Sequence, residues 1–289
     1  MTAVLTNLFD GVAYGMLLFV LACGLAVTLG LMNFVNLAHG SFAMAGGYVC
    51  AVLVNQAGWP FFLALPLAFV ASALIGALFE RALYRHLYAR SHLDQVLFSI
   101  GLVFMSVAAV DYIMGSSRIF IKLPAALEGQ FDVLGVGIGR YRLMIIVICG
   151  LLTLALQLVL AKTRFGSRLR AAVDDPRAAS GLGINVPQVF AFTFAFGCGL
   201  AGLGGALSAE ILGLDPYFPL KFMIYFLIVV TVGGSSSITG PFLAALLLGI
   251  SDVAGKYYVP KMGPFVIYTI MIVILLWRPN GLFGRTASR

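Results

Sequence analysis

Long apolar runs follow one another along the whole chain and are separated by short polar segments. A helix needs about 20 apolar residues to cross the hydrocarbon core of a bilayer. The pattern predicts nine spans, at residues 8–31, 37–56, 60–82, 94–115, 142–162, 187–208, 222–239, 241–258 and 263–277. The run at 37–56 starts with polar residues and is glycine-rich, so we expect a broken or re-entrant helix there. The pair around GGSSSITGP (233–241) is equally irregular, and the expected total is eight or nine.

Composition supports one polytopic membrane domain spanning residues 1–289, with an all-α fold. Hydrophobic residues make up 61% of the chain and charged residues 10%, whereas soluble domains carry about 25% charged residues. The net charge of +7 fits the cytoplasmic enrichment of Lys and Arg in membrane proteins. Nucleic-acid binding is not expected, because the sequence shows no basic face interleaved with aromatic residues. The four cysteines fall inside apolar spans, where we expect them to act as small hydrophobic residues.

Loop charges predict an orientation. With nine spans and a cytoplasmic C-terminus, eleven basic residues lie inside and seven lie outside. The densest basic clusters then occupy short inside loops, as the positive-inside rule requires. This orientation places the segment at about 163–186 in the cytoplasm and the loop at about 116–140 outside. Within the outer loop, FDVLGVGIGRY alternates in polarity and predicts a small β-hairpin.

Small residues recur at every fourth position in three spans. These positions are Ala43, Gly47 and Ala51; Ala64, Ala68, Ser72 and Gly76; and Gly197, Ala201, Gly205 and Ala209. Small residues at this spacing let helix backbones approach closely inside a membrane. The stripes therefore predict packing seams rather than ligand sites.

No set of side chains has the spacing of a known catalytic centre. The three histidines (His39, His86 and His92) form no spaced pair with Cys, Asp or Glu, and the phosphate-binding pattern G-x-x-x-x-G-K-[ST] is absent from the sequence. The chain is therefore predicted not to be an enzyme, to bind no metal or cofactor, and not to hydrolyse ATP by itself.

Four acidic residues lie in or beside the predicted spans: Glu80, Asp111, Glu210 and Asp252. An ion-coupled carrier would need such carboxylates as ion or proton carriers. All four lie near predicted span ends, so we expect solvated, interfacial or helix-capping carboxylates rather than a relay.

The segment GLMNFVNLAHGSFAMAGGY (30–48) is an unusual polar run at a membrane border. Its polar residues Asn33, Asn36, His39 and Ser41 precede a series of small residues. One interpretation is a turn in which Asn36 caps the next helix. The other is a helix break that lines a cavity, since irregular backbone at membrane depth must be buried in protein or wet. The sequence favours neither interpretation.

The segment RLRAAVDDPRAASGLGIN (168–185) concentrates charge in a hydrophobic chain. Asp175 followed by Pro176 is a helix start, with an N-cap and a proline at the first helical position. Gly183 is a natural stop for that helix. A second short helix is predicted upstream, at residues 164–173. We expect a short amphipathic helix on the cytoplasmic face, and the alternative is a solvated loop whose arginines only orient the chain.

Four motifs together resemble a known family. NFVNLAHGSFAMAGGY, RFGSRLRAAVDDPRAASGLGINV (164–186), GGSSSITGP and WRPNGLFG (277–284) occur in order along the chain. These four motifs and their order are similar to those of ABC importer permeases of the branched-chain amino acid type. The resemblance implies that the cytoplasmic segment is a coupling helix that docks on an ATPase. The coupling residues that it implies are Arg170, Asp174, Asp175, Arg177 and Gly183.

The same resemblance implies an assembly in the bacterial inner membrane. Its parts are two related permease subunits, two cytoplasmic ATP-binding subunits and a periplasmic substrate-binding protein. The residues predicted to line the translocation path are Asn33, Asn36, His39, Ser41 and Glu210. Two alternatives remain open: the same machinery with urea, amides or aromatic acids as cargo, or an ion-coupled secondary transporter.

Overall fold

The chain forms a bundle of α-helices with one small β-hairpin. The computed structural model describes residues 2–32, 34–88, 90–133, 136–234 and 238–283. Its helices are α1 (Thr2–Met32), α2 (His39–Asn55), α3 (Phe61–Ala82), α4 (His92–Met114), α5 (Arg140–Lys162), α6 (Arg164–Asp174), α7 (Pro176–Gly181), α8 (Val186–Leu212), α9 (Phe218–Gly233), α10 (Thr239–Tyr258) and α11 (Gly263–Trp277). The strands β1 (Gln130–Val133) and β2 (Val136–Gly139) pair antiparallel, which confirms the predicted hairpin.

The predicted fold class, an all-α polytopic membrane bundle, is confirmed. Nine of the helices in the described residues coincide with the nine predicted spans, and α6 and α7 occupy the predicted polar segment. Five helices (α1, α3, α4, α5 and α8) are long and apolar enough to cross a membrane by length and composition. Helix α9 and the part of α11 from Phe265 to Trp277 are apolar but shorter. We name the two ends of the bundle by their landmarks: the elbow end carries α6 and α7, and the hairpin end carries β1 and β2.

Burial divides the helices into central and peripheral ones. In the most apolar windows of α1 and α8, 78% and 72% of the residues are buried, against 17% in α4 and 22% in α5. Exposed leucine, valine and phenylalanine side chains cover the outer faces of α3, α4 and α5. Apolar side chains that remain outside the core of a membrane protein meet lipid or a second subunit.

The packing seams predicted from small residues are present, and glycines of α8 form their centre. A Cβ added to Gly205 would collide with the Ala43 carbonyl of α2, and one added to Gly202 would collide with Ser72 of α3. On another face, the backbone of Gly197 touches Gly24 of α1. Three helices therefore approach α8 to near backbone contact, a distance that no larger side chain permits.

The irregular stretch predicted near residue 37 lies before α2 and not inside it. Helix α2 is continuous from His39 to Asn55, which corrects the expectation of a broken helix. Between α1 and α2, the non-helical residues Phe34, Asn36 and Ala38 are at most 1% exposed. Non-helical backbone is tolerated within the membrane-spanning bundle because it is buried in protein and shielded from lipid. Of GGSSSITGP, residues 235–237 lie outside the described residues.

The chain's last described segment packs against the end of α9. The N–H groups of Leu282 and Phe283 donate to the carbonyls of Val232 and Gly233, at 2.8 and 3.2 Å. These carbonyls belong to the last turn of α9, where carbonyl groups have no hydrogen-bond partner within the helix. Two motifs far apart in sequence, GGSSSITGP and WRPNGLFG, therefore meet at the elbow end.

We predict that Gly205→Ala destabilises the bundle, because its methyl group has no room beside the Ala43 carbonyl. Overpacking of this kind costs about 1–3 kcal/mol. The measurement is the thermal unfolding of the detergent-solubilised protein.

Gly150→Ala is the matched control, since a Cβ at Gly150 of α5 meets nothing within 4 Å. Alanine is the better helix former by about 1 kcal/mol, so this variant should unfold at the same or a higher temperature. Equal unfolding temperatures for both variants would contradict the proposed role of Gly205.

Candidate functional site

Two regions contain the predicted site residues: the elbow, defined as residues 163–185, and the polar break, defined as residues 34–41. The elbow is an exposed structure at one end of the bundle, and the polar break is buried among helices. The elbow therefore offers side chains to a partner, whereas the side chains of the polar break contact neighbouring helices.

The first turn of the elbow is held tightly against α5. Thr163 Oγ1 accepts a hydrogen bond from the Gly166 N–H at 3.3 Å and caps α6. A Cβ at Gly166 would collide with the Leu160 carbonyl, so only glycine permits this turn. The Arg170 guanidinium donates to that same carbonyl, which lies in the last turn of α5 and has no helical partner. Arg170 therefore joins α6 to α5.

The second turn is a capped helix, as predicted. Asp175 Oδ1 accepts hydrogen bonds from the N–H groups of Arg177 at 2.9 Å and Ala178 at 3.0 Å. Gly183 has φ of +82°, and the next residue, Ile184, donates back to the Ala179 carbonyl at 3.1 Å. Asp175 and Gly183 thus define the beginning and end of α7, and both have an architectural role.

The elbow also has a small core of its own. Ala172 of α6, Ala179 of α7 and Val186 at the start of α8 pack together and are 0, 2 and 7% exposed. Through this cluster the elbow is attached to α8, and through Arg170 it is attached to α5. A displacement of the elbow would therefore act on both of these long helices.

The outer face of the elbow presents side chains without partners. Arg168, Asp174 and Arg177 are exposed and form no ion pair with any residue that the structure describes. Leu182, which follows them in the elbow, is 82% exposed. Charges that surround an apolar residue are typical of a protein–protein contact surface. Arg168 and Leu182 were missed by the sequence prediction of this surface.

An open cleft lies beside the elbow, with a volume of about 620 Å³. Its walls are the end of α3, with Glu80, and the start of α8, with Val186 and Gln188. Glu80 is 3% exposed and accepts a hydrogen bond from the Tyr88 hydroxyl at 3.2 Å, so it is buried rather than interfacial as predicted. Burial and the charge of Glu80 raise the pKa of the Tyr88 phenol above its ordinary value. Tyr88 therefore stays protonated as a donor.

The polar break makes specific hydrogen bonds within the bundle. Asn36 is 0% exposed, and its Oδ1 accepts from the Ala38 N–H at 3.1 Å and from the Tyr84 hydroxyl at 3.0 Å. Burial raises the pKa of the Tyr84 phenol well above its ordinary value, so this donor too keeps its proton. Asn36 therefore forms a local turn two residues before Ala38, which occupies the N-cap position of α2 in place of the predicted Asn36.

The side chains of the polar break point to different neighbours. His39 is 1% exposed, and its Nε2 lies 3.1 Å from the Leu21 carbonyl of α1. Because a carbonyl oxygen can only accept, Nε2 carries the proton and donates this hydrogen bond. Ser41 Oγ lies 2.7 Å from Ser106 Oγ of α4. His39 is therefore a packed core histidine, whereas Ser41 is directed towards α4. Asn33 lies outside the described residues.

A largely apolar cavity of about 760 Å³ begins at Ser41. It lies between α2, α3 and α4, and most of its walls are Phe, Met, Leu and Ile side chains. Ser41 is the one predicted path residue among the residues that line it. We call it the apolar cavity.

The remaining predicted carboxylates are widely separated. Glu210 is partly buried near the end of α8 at the hairpin end, far along that helix from the polar break. Asp111 is exposed in the last turn of α4, as expected. Asp252 is 1% exposed and pairs with Lys256 at 2.5 Å, so the expectation of a solvated Asp252 is wrong. The structure therefore does not bring Glu210 together with His39 and Ser41.

Comparison with known proteins gives one consistent result. The family described as "Branched-chain amino acid transport system / permease component" matches residues 7–275. LivH, a high-affinity branched-chain amino acid transport permease protein of Escherichia coli K12, is 28% identical, with 97% of this chain and 96% of LivH aligned. BraD of Pseudomonas aeruginosa is 29% identical over 97% of this chain and 96% of BraD. LivM of Salmonella typhimurium is 26% identical over 94% of this chain and 68% of LivM. No solved structure matches the chain.

We predict that Asp175→Ala loosens α7, because the N–H groups of Arg177 and Ala178 lose their acceptor. Loss of such a cap costs ~1 kcal/mol. Amide hydrogen exchange in α7 should accelerate about fivefold, the factor that this free energy implies. Asp174→Ala is the control, since Asp174 caps no helix, and exchange equal to that of this control would contradict the capping role.

We predict that His39→Ala lowers the unfolding temperature and reduces transport. The change removes a buried ring and its hydrogen bond to Leu21, a loss of about 3 kcal/mol or more. His86→Ala removes an exposed histidine and should leave both quantities unchanged. A His39→Ala protein that unfolds at the parent's temperature would contradict the packing role.

Proposed function

The chain belongs to the branched-chain amino acid transport system permease family, which confirms the resemblance read from its motifs, and we propose that it is the transmembrane subunit of an ABC importer. In this proposal it moves branched-chain or other hydrophobic amino acids across the bacterial inner membrane by alternating access. Its energy comes from two partner ATPases, and its other partners are a second, related permease subunit and a periplasmic substrate-binding protein.

The observation that carries the proposal is the elbow. Its backbone is fixed by Thr163, Arg170 and Asp175, while Arg168, Arg177 and Leu182 remain exposed without partners in the described residues. A surface that is rigid before binding loses little conformational entropy on docking. In this proposal the elbow lies in the cytoplasm and inserts into a groove on the ATPase.

Movement of the elbow would be transmitted by its two attachments. Arg170 ties it to the end of α5, and Val186 ties it to the start of α8. Because α8 packs so closely on α1, α2 and α3 that its glycines leave no room for a Cβ, these helices would move together as one body. Closure of the ATPases would then shift the permease between states open to opposite sides, through contacts that differ between those states.

The apolar cavity supports a hydrophobic cargo. Its walls at α2, α3 and α4 suit an aliphatic side chain, and its position next to the polar break places it at membrane depth. Ser41 and Ser106 are the polar groups on its wall. We propose that cargo passes along this cavity when the permease changes state.

We predict that Arg177→Glu uncouples ATP hydrolysis from uptake. The change reverses the charge offered to the ATPase, and like charges across an interface cost several kcal/mol. Helix α7 should remain folded, since a carboxylate in its first turn favours the helix dipole. Uptake in vesicles that contain the full importer should fall about tenfold or more, since the lost contact exceeds about 1.4 kcal/mol, while the membrane content of the chain stays the same.

Arg90→Glu is the matched control, because Arg90 is exposed at the same end of the bundle but outside the elbow. Its uptake should equal that of the parent. Normal uptake by Arg177→Glu with the ATPase bound would remove Arg177 from the coupling surface. Uptake by this chain without any ATPase, driven by a proton or sodium gradient, would overturn the proposed function.

A further inference from the structure

A small cavity with charged walls lies at the hairpin end, far from the elbow. Its volume is about 210 Å³, and it is bounded by α1, α5, α10 and the last residues of α8. Its polar lining consists of Asp10, Tyr14, Arg142, Asp252 and Lys256. We call it the charged cavity.

The four charges form two ion pairs. Asp10 of α1 pairs with Arg142 of α5. Asp252 pairs with Lys256 one turn later on α10, at 2.5 Å. The Lys256 ammonium also lies 5.6 Å from the centre of the Tyr14 ring, within cation–π distance. The lining is thus electrically neutral in sum but carries separated charges of both signs.

Asp252 is a buried carboxylate that is incompletely bonded. Its side chain is 2% exposed, and its Oδ1 has no hydrogen-bond partner among the residues that the structure describes. A buried carboxylate oxygen without a donor is costly, and such groups in native proteins normally have one. Close packing holds it there, because Gly11 and Gly15 of α1 touch α10 at Ile250 and Gly249. Asp252 therefore carries an unused acceptor oxygen beside the cavity, and its side chain must turn outward to present that oxygen to a ligand's N–H groups.

The rest of the lining is aliphatic: Ala13, Ile211, Leu212 and Val253. A ligand with net charge would leave an uncompensated charge in this partly buried site. A zwitterion would not, since its ammonium can meet Asp252 and its carboxylate can meet Lys256 or Arg142. The volume is below the about 300 Å³ at which pockets for drug-sized ligands begin, which suits a small molecule with an aliphatic side chain.

We propose that the charged cavity binds a small aliphatic α-amino acid as its zwitterion, with Asp252 accepting from the ammonium group. The identification of this ligand as transported cargo rests on the proposed function. In that case the cavity is a site at which the permease binds cargo at the hairpin end. Asp252, Lys256, Asp10 and Arg142 are then its binding residues.

The test is protection of an introduced thiol in the full chain reconstituted in nanodiscs. Val253→Cys places a thiol on the wall of the cavity, and the four native cysteines are buried. L-leucine should slow its modification by a small maleimide at least threefold. 4-Methylpentanoate, which lacks the ammonium group, and 3-methylbutylamine, which lacks the carboxylate, should not protect at equal concentration. Tyr257→Cys, on the same helix but outside the cavity, is the control and should be modified at the same rate throughout.

A second variant tests Asp252 directly. In the Val253→Cys background, Asp252→Asn should raise the leucine concentration needed for half protection about tenfold or more, the effect of losing a buried charge contact. Asp215→Asn is the matched control, because Asp215 is a buried carboxylate paired with Lys221 and Arg118 away from the cavity. It should leave half protection unchanged.

The results separate this proposal from the proposed function. Protection needs no ATPase or binding protein, so it is measured independently of coupled uptake. Equal modification rates with and without L-leucine, in a chain that supports leucine uptake in the full importer, would overturn the charged cavity alone. Equal protection by leucine and by the amine would overturn the zwitterion assignment. Protection in a chain that supports no leucine uptake would uphold the site and reject its role in transport.

Discussion

The near contact of helix backbones around α8 is the constraint on which the rest of the structure depends. Inside a bilayer, burial of apolar surface between helices gains little, so association relies on close packing. Gly197, Gly202 and Gly205 let α1, α2 and α3 reach α8 at backbone distance. Because these contacts leave no spare volume, the four helices are expected to move together rather than slide past one another. The peripheral α4 and α5 lack this constraint and expose most of their apolar surface.

Because of this packing, the attachments of the elbow decide which helices would move with it. Arg170 and Val186 connect the elbow to the ends of α5 and α8, one peripheral helix and one central helix. A partner that displaces the elbow would therefore act on the packed core and on its outer layer at once. The elbow is capped and turned by its own residues, so it can hold its shape at the surface while its outer side chains stay unpaired.

Several buried polar groups of the bundle are satisfied by contacts between helices. Asn36 and Tyr84 stabilise the non-helical residues between α1 and α2, and His39 donates to the Leu21 carbonyl. These bonds let irregular backbone exist where lipid could not hydrate it. Other buried atoms, which include Asp252 Oδ1 and the Asn36 amide nitrogen Nδ2, keep no hydrogen-bond partner among the described residues. The charged cavity is the better candidate for a ligand site because its open lining carries charges of both signs, whereas Asn36 and His39 of the polar break are 0 and 1% exposed.

The sequence by itself determined the features that depend on neighbouring residues. Apolar run length predicted the helices, Asp175 with Pro176 and Gly183 predicted α7, and the small-residue stripes predicted which faces pack. Only the tertiary structure decided which side chains meet across helices. It joined Asp10 to Arg142, buried Asp252 beside a cavity, placed Arg170 on the Leu160 carbonyl, and separated Glu210 from His39. Caps and periodicity act within a few residues of one helix, whereas these pairings depend on how distant helices cross.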